Sequence, residues 1–100
     1  METHNAFVVK LDVDDGLRLT ELLRSEVPLE HEMTPFLRDM RALARIKGRD
    51  DVVFATGDNE HPYALVHLTW NGRQASPFPY TKLCKDLAEL NSEIQEALGL

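Results

Sequence analysis

The sequence predicts an α+β fold: an antiparallel sheet of three to four strands, a C-terminal helix packed on one face, and a shorter N-terminal helix. Three observations predict it. Residues 63–70, Y-A-L-V-H-L-T-W, form the most strand-like run of the chain, β-branched and aromatic, without charge, and entered through Pro62. A second such run, Val52–Thr56, lies just upstream across Gly57-Asp58-Asn59-Glu60, which is turn chemistry and so implies an antiparallel return. Near the end, Leu83, Leu87, Leu90, Ile94 and Ala97 recur at four- and three-residue spacing, the stripe of an amphipathic helix. With 100 residues, 43% hydrophobic and 28% charged, the chain suffices for one core, so residues 1–100 are read as a single domain.

In chain order, residues 6–13 alternate, Phe7, Val9, Leu11 and Val13 against Val8, Lys10 and Asp12, and read as a strand. Asp14-Asp15-Gly16 turns the chain, with either aspartate able to cap a helix from Leu17 to about Glu26. Leu19, Leu22 and Leu23 are its apolar stripe, and Pro28 stops it. Residues 27–33 read as a solvated loop, because Glu30, His31 and Glu32 are adjacent and lack a second ligand set at metal-binding spacing. Thr34-Pro35 starts a short helical turn at 34–38. The stretch after it supports two readings. Ala, Leu, Met and Arg favour helix, whereas Met40, Ala42, Ala44 and Ile46 alternate with Arg41, Leu43, Arg45 and Lys47 as a strand from about 40 to 47. The strand is preferred because Gly48-Arg49-Asp50 is turn-like and leads straight into V-V-F-A-T, with a helix as the alternative. Residues 72–80 are a proline-braced connection. Thr81 is the expected N-cap of the last helix, which runs to Leu98 and ends at Gly99.

A hairpin through Gly48–Asp50 sets Lys47 opposite Asp51 and Arg45 opposite Val53. The following hairpin sets Thr56 opposite Ala64, Phe54 opposite Val66, and Val52 opposite Leu68. This register keeps the apolar sets on one face, the side bearing Phe54, Val66 and Trp70, where the last helix is expected to pack. The other face then carries Lys47, Asp51 and Thr69 in one row and Arg45, Val53 and His67 in the next. Leu43, Ala55 and Leu65 follow, with Arg41 and Tyr63 beyond. Such a half-apolar face is covered by the first helix or N-terminal strand, forms a homodimer seam, or binds a ligand.

Composition removes several classes. The formal net charge of −6 disfavours nucleic acid, which needs a concentrated basic surface. No apolar run is long enough to span a membrane, and the polar start M-E-T-H-N does not read as a secretory leader. A lone cysteine, Cys84, fits a reducing cytoplasm, and in the first turn of the last helix it reads as packing. There is no phosphate-cradling glycine loop, no nucleophile motif and no metal-ligand spacing, so no cofactor and no metal is expected. His61 with Asp58 and Glu60 is read as a solvated turn, and His4 as part of a terminus. His67, with Asp51 or Thr69 beside it, is the weak candidate for general-base chemistry. Trp70 has core-facing parity, closing the sheet over the last helix with its indole N–H bonded at the rim.

The joint spacing of A-R-I-K-G-R-D-D-V-V-F at 44–54, Y-A-L-V-H-L-T-W at 63–70 and P-F-P-Y-T at 77–81 resembles a family of small bacterial proteins with no established reaction. The likeness covers roughly residues 17–90. It implies a strand at 40–47 and a role for Arg45, Asp50, Asp51, His67, Thr69 and Trp70. The N-terminal strand lies outside it.

The leading expectation is a cytoplasmic, non-enzymatic module that binds a protein partner or itself through the face around His67. The contact residues would be Arg41, Arg45, Tyr63, His67, Thr69 and Trp70. One alternative is a small enzyme or anionic-ligand-binding protein, with His67 and Asp51 as acid–base pair and Arg45 as anion clamp. Another is an immunity- or antitoxin-like acidic protein that masks a basic surface.

Overall fold

Five antiparallel strands in simple meander order separate two helices in the computed structural model, which describes residues 8–28, 31, 33–70, 72 and 79–99. The elements are β1 (Val8–Lys10), α1 (Val13–Glu26), β2 (Arg41–Ile46), β3 (Asp51–Ala55), β4 (Tyr63–His67), β5 (Tyr80–Cys84) and α2 (Leu87–Ala97). A single 3₁₀ turn at Thr34–Phe36 leads into β2, so the strand reading of this segment holds over the helical one. The α+β class and the antiparallel sheet are as expected, with five strands in place of three or four.

The extra strand is the segment expected to open the last helix. Tyr80 and Thr81 suit a strand, and the true helix start lies downstream at Asp86-Leu87-Ala88-Glu89. Asp86 Oδ1 accepts from the Glu89 N–H at 2.8 Å, and Glu89 Oε1 reaches back to the Lys85 N–H at 3.4 Å. The first helix also starts away from the expected point, earlier in the chain. Asp12 is its cap, accepting from the Asp15 N–H at 2.8 Å, while Asp14 and Asp15 occupy the first turn where negative charge complements the helix dipole. β1 correspondingly ends at Lys10, before the expected end at Val13. The N-terminal helix is the longer of the two, 14 residues against 11.

Each face of the sheet has its own helix, and the assignment is the reverse of the expected one. α1 buries Leu19 and Leu23 on Val52, Phe54, Ala64 and Val66, with Met33 and Met40 filling the same layer. α2 buries Leu90 and Ile94 on Ala44, Ile46, Val53, Leu65 and Cys84. Either pair of buried aliphatic side chains contributes about 3–6 kcal/mol by transfer, a large share of a small domain's stability, so neither face can be left bare. The second face is therefore closed over its centre by α2, and not by α1 or β1.

What draws α1 to the first face is a polar contact with β2. The Thr20 hydroxyl donates to Gly16 O at 2.7 Å and accepts from the Ala42 N–H at 2.9 Å. A side chain at Gly16 would stand 3.3 Å from the Ala42 carbonyl, so the small residue permits the approach. The Ala42 N–H is available because β2 bulges: Ala42 pairs with Phe54 and Ala44 with Val53, leaving Leu43 as the extra residue. The bulge moves Arg45 opposite Val52 instead of Val53 and switches its side of the sheet. Between β3 and β4 the register is two residues from the expected one, with Phe54 opposite Ala64, Val52 opposite Val66 and Asp51 opposite His67. A two-residue shift preserves faces. It arises in the connecting loop, where the Thr56 N–H donates to Pro62 O and Asp58 Oδ2 accepts from the His61 N–H, closing a tighter turn than the expected Thr56–Ala64 pairing.

Candidate functional site

The described structure places the sequence candidates in three separate places. The first is the His67 end of the α2 face. Asp51, His67 and Tyr80 are successive cross-strand partners on β3, β4 and β5. The Asp51 side chain is only 7% exposed, and both of its oxygens are used. Oδ1 accepts from His67 Nδ1 at 3.1 Å, and Oδ2 accepts from Arg49 Nε at 2.7 Å. Arg49 comes from the β2–β3 turn, where Gly48 supplies a φ of 78° and the Arg49 N–H closes onto Ile46 O. The imidazole and guanidinium, tied at one end, remain 44% and 42% exposed at the other. They border an open groove of about 420 Å³ with Tyr80 and Lys82 on its strand side and Glu93 and Glu96 on its helix side. With Nδ1 on the carboxylate, His67 Nε2 is the ring nitrogen that can meet a partner or ligand.

The second place lies at the opposite end of the same face. Arg41 and Tyr63 line a shallow concavity with Asp39 and Asp58, and the buried row under α2 separates them from His67. The expected continuous surface of Arg41, Arg45, Tyr63 and His67 is therefore divided by α2, and Arg45 has left it altogether through the bulge.

The third place is on the α1 side, beyond the end of β4. Here Glu26, fully buried in the last turn of α1, accepts from the Thr69 N–H at 2.7 Å, the Thr69 hydroxyl at 2.9 Å and the Trp70 N–H at 2.9 Å. A carboxylate at a helix C-terminus opposes the helix dipole, and three donors offset that. The clamp holds Trp70 at a φ of 65°, a left-handed conformation that costs a residue with a Cβ about 1–2 kcal/mol. Trp70 does not close the sheet over the last helix as its parity suggests. It is 48% exposed, and its indole N–H donates to Asp50 Oδ1 at 3.0 Å. Thr69 pairs with Glu26 and not with Asp51.

Glu26, Arg49, Tyr80 and Lys82 are the site residues that sequence reasoning missed. A signal for Glu26 exists: it follows Leu19 and Leu23 on the buried stripe, where a lone carboxylate demands donors.

The remaining candidates are structural. His31 is buried, not part of a solvated loop: its Nδ1 accepts from the Met33 N–H at 3.0 Å and its Nε2–H donates to Pro79 O at 2.8 Å. Glu30, Glu32 and His4 lie outside the described residues. His61 stands 3.6 Å from Asp58 in the β3–β4 loop. No group of three or more His, Cys, Asp or Glu side chains suited to a metal ion occurs among the described residues. Cys84 is buried in β5, not at a helix start. Burial, reinforced by Glu89, Glu93 and Asp86, pushes its thiol up to about 11 from 9.0. The folded value lies above the unfolded one, so the neutral thiol's contribution is fully present below pH 9 and lost as the pH rises towards 11. Urea titrations at pH 8 and pH 10.5 should therefore show a larger drop in stability for the wild type than for Cys84→Ala. An equal drop would show that the thiol is not the responsible group.

No described helix is long and apolar enough to cross a membrane. No family model matches the chain, and no curated protein or solved structure matches it. The motif likeness at 44–81 thus adds no activity to what the side chains themselves suggest.

Proposed function

We propose that the chain is a non-enzymatic interaction module that binds a protein partner, or a second copy of itself, through the His67 end of the sheet. The observation that carries this reading is the pre-organised triad. Buried Asp51 fixes Arg49 and His67 in one orientation each while leaving both accessible beside Tyr80, itself 55% exposed. Arginine and tyrosine supply much of the energy at protein interfaces, and side chains held before contact lose less entropy on binding. Among the described strands β5 is the last of the sheet order, the kind of position at which partners add a strand. The acidic side chains of α2 suit a partner that presents basic groups, as an immunity-like role would require. A cytoplasmic setting rests on the lone cysteine.

The test compares the wild type with His67→Ala/Arg49→Ala by light scattering and by cross-linked capture from the native cell. The variant should lose at least tenfold in affinity for any self-association or captured partner. Complexes of unchanged mass and yield would sink the reading.

The Asp51–His67 distance favours one second reading, acid–base catalysis by His67 with Asp51 orienting the ring. In that case Arg49, and not Arg45, is the cation placed to hold an anionic substrate. The Thr81 hydroxyl beside the groove is already bonded to Pro79 O and Met33 Sδ, so His67 would act on a proton of a bound substrate or water. His67→Gln would abolish such activity, while partner binding through Tyr80 and through Arg49, still held by Asp51, would be largely kept.

A further inference from the structure

We propose that the cavity on the α1 side, between Arg45 and Trp70, binds a carboxylate carried on a flat apolar group. This site is on the other face of the sheet from the His67 groove; Arg49, in the β2–β3 turn, borders both, and the proposal rests on Arg45 and Trp70, which do not line that groove. Its volume is about 260 Å³, below the roughly 300–1,000 Å³ of sites for drug-sized ligands, so the occupant is one ring with a short acid arm. Leu11, Leu19 and Val52 give it an apolar floor, and Trp70 stands as an aromatic wall.

The polar groups around it are already committed, with one exception. Asp15 lies 3.4 Å from Arg18, Asp50 accepts the Trp70 indole N–H, and Arg49 is held by Asp51. The Arg45 guanidinium has no hydrogen-bond or ion-pair partner among the described residues. A guanidinium without an ion-pair partner, beside a small cavity with an apolar floor and a charged rim, matches a bidentate anion such as a carboxylate. Trp70 supplies the second element. Its backbone is pinned by Glu26 and its indole by Asp50, yet the ring is half exposed in a strained conformation. A large aromatic fixed at backbone and indole N–H, half exposed and lining a cavity, is suited to stacking. The acid can be a free small molecule or the C-terminal residue of a peptide, and the chemistry recognised is the same.

Trp70 is the only tryptophan of the chain, so its emission reports on this cavity alone. The full-length protein is titrated with 3-phenylpropionate, with 3-phenylpropionamide, and with a tetrapeptide ending in phenylalanine as free acid or amide. A saturable change in emission with an acid, at least tenfold weaker with its amide, supports the site. Response to the free acid identifies a small-molecule ligand, and response to the peptide acid alone identifies a chain terminus. Arg45→Gln should weaken the acid at least tenfold and Arg45→Lys less, while circular dichroism stays that of the wild type because Arg45 is exposed. If Arg45→Gln fails to fold, the acid-against-amide comparison on the wild type decides. Equal binding of acid and amide, undiminished binding by folded Arg45→Gln, or no saturable response to any probe overturns the proposal.

Discussion

Replacing Glu26 with alanine should destabilise the protein by about 2–4 kcal/mol, the cost of leaving several partly buried donors without their charged acceptor. The expectation follows from three hydrogen bonds, all between 2.7 and 2.9 Å, that converge on one fully buried carboxylate. They tie the last turn of α1 to the chain leaving β4, segments more than forty residues apart in sequence. Glutamine keeps one acceptor oxygen but turns an amide N–H₂ towards a donor, so Glu26→Gln should fall between alanine and the wild type. Urea unfolding followed by circular dichroism measures the loss, and Trp70 emission measures the release of its backbone. A midpoint unchanged in both variants would mean that the clamp contributes nothing to holding Trp70.

His31→Ala should cost about 2–3 kcal/mol, because it orphans a buried donor and a buried acceptor together. The ring accepts from the Met33 N–H and donates to Pro79 O, joining the approach to β2 with the approach to β5. Among the described strands β5 pairs with β4 alone, so the loss should fall most heavily there. Hydrogen exchange is the discriminating measurement: β5 amides should lose more protection than those of β3. Equal loss in both strands would assign His31 a role in global packing alone.

The contrast between these two residues shows where sequence reading reached and where it stopped. Glu26 announces itself weakly, as a carboxylate on a leucine stripe. His31 does not, since H-E-M has the composition of any exposed loop, and its acceptor, Pro79 O, lies on a segment that only the fold brings near. Asp51 and His67 were legible as a pair of interest. Their direct opposition depended on the width of the 56–62 turn, which Thr56 and Asp58 set through bonds to the backbone of residues 61 and 62.

Periodicity and turn chemistry were enough for the β2, β3 and β4 strands, for both helices, and for the separation of core-facing from outward-facing residues on β3 and β4. These are properties of neighbours in sequence, governed by the period-two and 3.6-residue repeats. Three matters were left to tertiary structure. The bulge at Leu43 sends Arg45 to the α1 side, because a Thr20 hydroxyl from a distant helix takes the Ala42 N–H. Residues 80–84 join the sheet, because the edge of β4 offers them a ladder and Asp86 starts the helix afterwards. Each helix takes the face it does because Gly16 and Thr20 dock α1 on β2, leaving the other face for α2 to cover. A single surface of Arg41, Arg45, Tyr63 and His67 therefore becomes three sites: α2 covers its centre and separates Arg41 and Tyr63 from His67, and one extra residue in β2 reverses Arg45.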